Sequence, residues 1–196
     1  MPTSKIARSK DYQKLFDSNG EVKNLRKSFP ILLSAAKEGH PNAQNLVGYA
    51  YMKAAGVQKD TKAAVRWFRR AANKNHKEAI FNLALAYDEG LGVTKDSRKA
   101  FLLYRKAALL GDALAQNNLS LRYRTGVGTR PNLAAAVRWC RKSAISGHTT
   151  AQYNLGLSYL RGEGVSKSKR LAKTWLLKAA SAGEKDAVEW LGRLDG

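Results

Sequence analysis

Ala43, Ala79, Ala115, Ala151 and Ala187 stand 36 residues apart, and so do Tyr51, Tyr87, Tyr123 and Tyr159, and Gly56, Gly92, Gly128 and Gly164. A period of this size, held without slippage, is the mark of a stacked repeat array rather than of a single globular core. Each unit of such an array buries its apolar side only against its neighbours, and the array works by presenting surfaces. The period therefore constrains the class of activity before any single residue is considered.

Each unit reads as two helices. In the copy with the clearest pattern, Ala151, Asn154, Leu155, Ser158 and Tyr159 follow the i, i+3, i+4, i+7, i+8 spacing of one helix face. A glycine turn, Gly162-Glu163-Gly164-Val165, follows. A second helix then places Ala172, Trp175, Leu176, Ala179 and Ala180 on its apolar side. The column Gly39, Asn75, Gly111, Gly147 and Gly183 marks its end, where a left-handed cap is expected. Small residues recur at Gly48, Ala84, Ser120, Gly156 and Gly192, and large ones at Trp67, Leu103, Trp139 and Trp175. We expect small to face large across each helix pair.

The pattern A-x-x-x-L-G-x-x-Y-x-x-G-x-G-V followed by K-A-x-x-W-x-x-K-A-A-x-x-G resembles the Sel-one-like repeat, a longer relative of the tetratricopeptide repeat, whose period is about 34 residues. The resemblance covers about residues 31–196, with full units at 41–76, 77–112, 113–148 and 149–184. It implies an all-α fold, a right-handed α-solenoid of stacked antiparallel helix pairs. First helices are expected on the concave side and second helices on the convex side. The third unit departs from the pattern at Thr129 and at Arg130-Pro131-Asn132, where the family often has Lys-Asp. Residues 1–28 read as a basic N-terminal segment and a degenerate capping repeat, with a worn first helix near 10–16 and Gly20 in the turn column. Residues 185–196 read as a lone closing helix.

The charge is the second constraint. Thirty-five Lys and Arg face fifteen Asp and Glu, for a formal net of +20. The first-helix portions (41–54, 77–90, 113–126, 149–162) together carry only +2, whereas the turn and second-helix portions between them carry +15. The excess is columnar. Lys62, Arg98 and Arg170 share one column, Arg66 and Arg138 another, Arg69, Arg105 and Arg141 a third, and Arg70, Lys106, Lys142 and Lys178 a fourth. These columns fall on one side of a helix and predict a basic ridge for an anionic partner.

Signals of catalysis dissolve in the repeat frame. His40, His76 and His148 occupy one column with Asp112 and Glu184, at the start of each first helix, and so read as caps rather than metal ligands. The glycine turns lack the preceding strand of a phosphate loop. The Ser-x-x-Lys strings at 34–37 and 166–169 lack the companion motifs of penicillin-recognising enzymes. Cys140, the single cysteine, shares its column with Phe68, Tyr104 and Leu176 and reads as a small buried hydrophobe. No cofactor, metal or small-molecule substrate is expected, and an enzyme is not.

The first helices carry the positions that vary most. Asn45, Met52 and Lys53, Phe81, Asp88 and Glu89, Asn117 and Arg124, and Tyr153, Leu160 and Arg161 are the candidate protein-binding positions of a concave groove. Phe81, Tyr153 and Leu160 are its expected exposed anchors, unless they pack between neighbouring first helices. The leading expectation is a non-enzymatic adaptor that grips a protein segment or an acidic protein surface. By family resemblance this includes a bacterial adaptor or a toxin-neutralising immunity protein. The alternatives are nucleic-acid binding along the basic ridge and docking on an anionic membrane surface. With neither an apolar leader nor a membrane-spanning run in the sequence, a cytoplasmic location is expected.

Overall fold

The computed structural model describes residues 13–15 and 22–195, and the expected worn helix at 10–16 and the Gly20 turn lie largely outside them. Every regular element among the described residues is a helix: α1 (Leu25–Lys37), α2 (Pro41–Lys53), α3 (Thr61–Ala72), α4 (Lys77–Glu89), α5 (Ser97–Leu109), α6 (Ala113–Thr125), α7 (Leu133–Ile145), α8 (Thr149–Arg161), α9 (Lys169–Ser181) and α10 (Lys185–Asp195). The chain divides into two compact units, Met1–Asp96 and Ser97–Gly196. In the first, α1 packs on α2, α2 on α3 and α3 on α4; in the second, each helix from α5 to α10 packs on the next.

The buried positions are the periodic ones. In the first unit Phe29, Leu32 and Ala36 of α1 meet Ala43, Val47 and Ala50 of α2, with Trp67 of α3 packed against them. In the second, Val137, Cys140 and Ala144 of α7 meet Ala151, Leu155 and Tyr159 of α8 and Ala172 of α9. The stack closes on Leu176, Ala179 and Ala187, flanked by Trp190 and Leu191. Ala71, Ala107, Ser143 and Ala179 have no exposed surface, because helices approach closely there. Burying so many small side chains yields little area each, so the array depends on their number and on tight fit.

Both kinds of helix junction are built from caps. Two or three residues past the end of a second helix the backbone takes a positive φ, as at Gly111 (φ 83°) after Leu109 and Asn75 (φ 59°) after Ala72. The following backbone N–H then donates five residues back, from Asp112 to Ala107 and from His148 to Ser143, the closing bond of a Schellman motif. That same residue caps the next helix. Asp112 Oδ1 accepts from Ala115 N at 2.7 Å, His148 Nδ1 from Ala151 N at 3.2 Å and His76 Nδ1 from Ala79 N at 3.4 Å. His76 and His148 thus act as caps, as their column predicts, whereas His40 stands at the start of α2 without a side-chain capping bond.

Second helices open on Asp60, Asn132 and Ser168, whose side chains accept from the backbone of Ala63, Ala135 and Leu171. Their own N–H groups donate to the carbonyls of Tyr51, Tyr123 and Tyr159. The third unit's departure from the usual Lys-Asp therefore keeps the cap, since an asparagine oxygen accepts the same bond.

One expectation about packing needs correction. The small column does not face the tryptophan column. A Cβ on Gly48 would stand 2.6 Å from Phe68 Cε1, and one on Gly156 would stand 2.8 Å from Leu176 Cγ. The tryptophan, one residue earlier on the helix, points toward a different neighbour: Trp67 lies against the α1–α2 core and Trp175 against the α7–α8 core. A shift of one residue turns a helical side chain by about 100°, which is enough to exchange the faces.

Candidate functional site

The twelve residues of the predicted basic ridge, Lys62, Arg66, Arg69, Arg70, Arg98, Arg105, Lys106, Arg138, Arg141, Lys142, Arg170 and Lys178, are all exposed. Lys62, Arg66, Arg69 and Arg70 project from α3 in the first unit, and the other eight from α5, α7 and α9 in the second. Several are engaged with the repeat itself. Arg69 Nη2 donates to the Tyr87 hydroxyl at 2.8 Å, and Arg141 Nη2 to the Tyr159 hydroxyl at 2.7 Å. Arg70 lies over the Trp67 ring at 4.5 Å, and Lys142 and Lys178 lie over Trp139 and Trp175 at 4.6 Å each. Arg66 stands 3.9 Å from Asp60. These contacts leave the net charge in place but fix where several of the cations sit.

The first-helix candidates are distributed less simply. Lys53, Glu89, Arg124 and Arg161 are exposed, and Met52, Phe81, Asp88 and Asn117 are half-buried. Asn45 is buried and accepts a hydrogen bond from Asn82 Nδ2 at 2.9 Å, so it links α2 to α4 instead of facing a partner. Tyr153 and Leu160, expected as exposed anchors, are half-buried and pack on the Leu176, Ala179 and Ala187 cluster. Their size fills the space between α8 and the closing helix. Arg161 Nη1 stands 3.7 Å from Glu163 Oε1.

Asn117 and Arg124 do come together. They line a cleft of about 140 Å³ whose other walls include Ser120 of α6, Val137 and Cys140 of α7, and Asn154 of α8. Cys140 is buried, and its Sγ donates to Ala151 O at 3.2 Å. Burial pushes its thiol up to about 11, with smaller opposing pulls from Ser120, Arg124 and Arg141, so it is neutral across the physiological range.

Sequence reasoning missed this cleft, the arginine–tyrosine bonds and a glutamine column. Gln44, Gln116 and Gln152 are buried, and their Nε2 atoms donate to Ala36 O, Ala108 O and Ala144 O, tying α2, α6 and α8 each to the preceding second helix. The signals were present: the glutamines are 36 residues apart at the last two positions, and arginine precedes tyrosine by 18 residues at 69/87, 105/123 and 141/159.

The Sel1 repeat model matches at residues 41–76, 77–112, 113–148 and 149–184. The chain belongs to the Sel1 repeat family. The Sel1 repeat protein of Oxalobacter formigenes is 34% identical with a TM-score of 0.83, over 90% of this chain and 51% of that one. The protective antigen c5321 of uropathogenic Escherichia coli is 31% identical with a TM-score of 0.86, over 96% of this chain and 40% of its own. This Sel1 repeat chain thus spans about half the length of the first and two fifths of the second. Immunity protein Pa5087 of Pseudomonas aeruginosa, 18% identical with a TM-score of 0.57 over 93% of this chain and 67% of that one, shares the fold. No curated protein sequence matches. The Sel1 repeat solenoid is the fold class, and Sel1 repeat proteins are generally non-enzymatic scaffolds. No described helix is long and apolar enough to cross a membrane.

Proposed function

We propose that this Sel1 repeat chain is a non-enzymatic adaptor that holds a segment or acidic surface of a partner protein against its first helices. One observation carries the reading. Across four matched repeats the turn and capping columns recur, while Met52, Asp88 and Arg124, which share one column, differ from unit to unit at exposed or half-buried positions, and Phe81 stands half-buried where the neighbouring units have Asn45 and Asn117. Variation at accessible positions of a recurring frame is what a partner-specific surface requires. The nearly neutral first-helix portions suit a mixed polar and apolar contact, and the net charge of +20 favours an acidic partner at longer range. Immunity proteins such as Pa5087 have the same fold, and neutralising a toxin would be one form of this role.

The exposed basic second helices support a second reading, nucleic-acid binding. One experiment separates the two. The full chain is used as bait in an affinity pull-down with mass spectrometry, with and without nuclease. A protein that survives nuclease treatment and is lost, by about tenfold, when Phe81 and Arg124 are both replaced by alanine supports the adaptor. Capture abolished by nuclease, or unchanged by a folded double variant, overturns it.

A further inference from the structure

The cleft in the third repeat has its cause in one pair of columns. In the first repeat Phe68 reaches over Gly48, and in the fourth Leu176 reaches over Gly156, so closely that a Cβ on either glycine would collide. In the third repeat the pair is Ser120 and Cys140, and both line the open space. Neither side chain extends past its γ atom, whereas phenylalanine and leucine reach δ atoms and beyond. With no side chain reaching across as Phe68 and Leu176 do, the room goes unfilled.

The lining sorts by chemistry. Val137 and Cys140 give an apolar floor, and the thiol is un-ionised, so an anion meets no opposing charge there. Asn117, Arg124 and Asn154 supply amide and guanidinium donors. Glu163, the one carboxylate on the wall, lies 3.7 Å from Arg161. The α6 portion, 113–126, carries net +2, the highest of the four first-helix portions. A volume of about 140 Å³ is close to the roughly 150 Å³ that admits a benzene-sized group.

We propose that this cleft is a socket for one acidic side chain, glutamate or aspartate, presented by the protein segment that the first helices hold. The assignment rests on the adaptor reading above. The methylenes of a glutamate lie on the Val137 and Cys140 floor, and the carboxylate meets the planar fork of Arg124, which binds such a group in bidentate fashion. The asparagines orient it. Glutamine fills the same space without the charge and binds more weakly.

The test is a titration of the full chain, followed by amide and side-chain NMR, with N-acetylglutamate N-methylamide and with its glutamine counterpart. The glutamate probe is expected to bind at about the millimolar level set by so few contacts. It should perturb Asn117, Arg124 and Asn154 and bind at least tenfold more tightly than the glutamine probe. The double variant Ser120→Gly with Cys140→Phe transplants the Gly48–Phe68 pair into the third repeat and should abolish the response. Should that variant fail to fold, Arg124→Gln, at an exposed position, should weaken binding by about tenfold. Equal response to the two probes, no response, or shifts spread over the second helices and unchanged in the variants overturns the socket. Nuclease-resistant partner capture retained by the folded double variant also overturns it, while leaving the adaptor standing.

Discussion

Arg141 on α7 donates a 2.7 Å hydrogen bond to the hydroxyl of Tyr159 on α8, with its guanidinium 5.9 Å from the ring centre. Arg69 and Tyr87 make the same pair in the first unit. The bond joins the second helix of one repeat to the first helix of the next, and so turns an exposed cation into a structural strut. Arg141→Ala and Tyr159→Phe should show a coupling of about 0.5–1.5 kcal/mol in a double-mutant cycle read by denaturant unfolding. Tyr123 instead sets its edge against Phe101 at 5.4 Å. Tyr123→Phe keeps that contact and should cost less than Tyr159→Phe. A coupling of zero would reduce the strut to an incidental surface contact.

Two glycines with positive φ should respond differently to a methyl group. At Gly183 (φ 91°) an added Cβ would meet nothing within 4 Å, whereas at Gly164 (φ 70°) the same atom would stand 2.2 Å from Leu133 O of the preceding repeat. Gly183→Ala should therefore cost about 1 kcal/mol, the left-handed penalty alone. Gly164→Ala must also move one repeat off another and should cost at least about 2 kcal/mol more. Melting temperatures of the two variants check the order, and equal losses would show that the turn glycines are chosen for φ only.

The histidine caps should make the array sensitive to acid. Burial lowers the His148 pKa against a smaller opposite pull from Asp112, and burial likewise lowers that of His76, with Glu78 opposing and Lys77 adding slightly. A group held below its unfolded value binds its proton more readily in the unfolded chain. Its contribution is therefore complete above about pH 6.5 and is lost as pH falls through the depressed native value. Protonated Nδ1 can no longer accept the Ala151 N–H. His148→Asp copies the cap that Asp112 already provides at 2.7 Å. It should flatten the stability loss between about pH 6.5 and 5 relative to the parent, as followed by thermal unfolding across that range. A variant that loses stability as steeply as the parent would locate the acid response elsewhere.

The helices, their order and the caps His76, Asp112 and His148 were legible because each rests on columns that repeat: periodic alanines, turn glycines and a polar cap that can be histidine or aspartate, whereas the second-helix caps Asp60, Asn132 and Ser168 became visible only in the structure. Exposure of the basic second-helix columns was legible for the same reason. What lay beyond reach was side-chain reach across the stack. Trp67 and Phe68 are adjacent and both bulky, so periodicity alone could not say which one covers Gly48. Tyr153 and Leu160 look like anchors in a one-dimensional reading, and only the closing helix shows that they are packing. The cleft was least visible of all. It arises from two small residues, Ser120 and Cys140, that are ordinary singly and leave a space only together.

At a repeat boundary a single residue, such as Asp112 or His148, closes the helix behind it through its backbone N–H and opens the helix ahead through its side chain. A joint of this kind belongs equally to both neighbours and recurs from one boundary to the next. Duplicating or excising 36 residues, or a multiple of 36, between two such joints regenerates an intact joint, while a length that is not a multiple leaves one helix without an end and the next without a beginning. Reach along a partner can then be lengthened or shortened in whole steps, independently of the side chains that decide what is held.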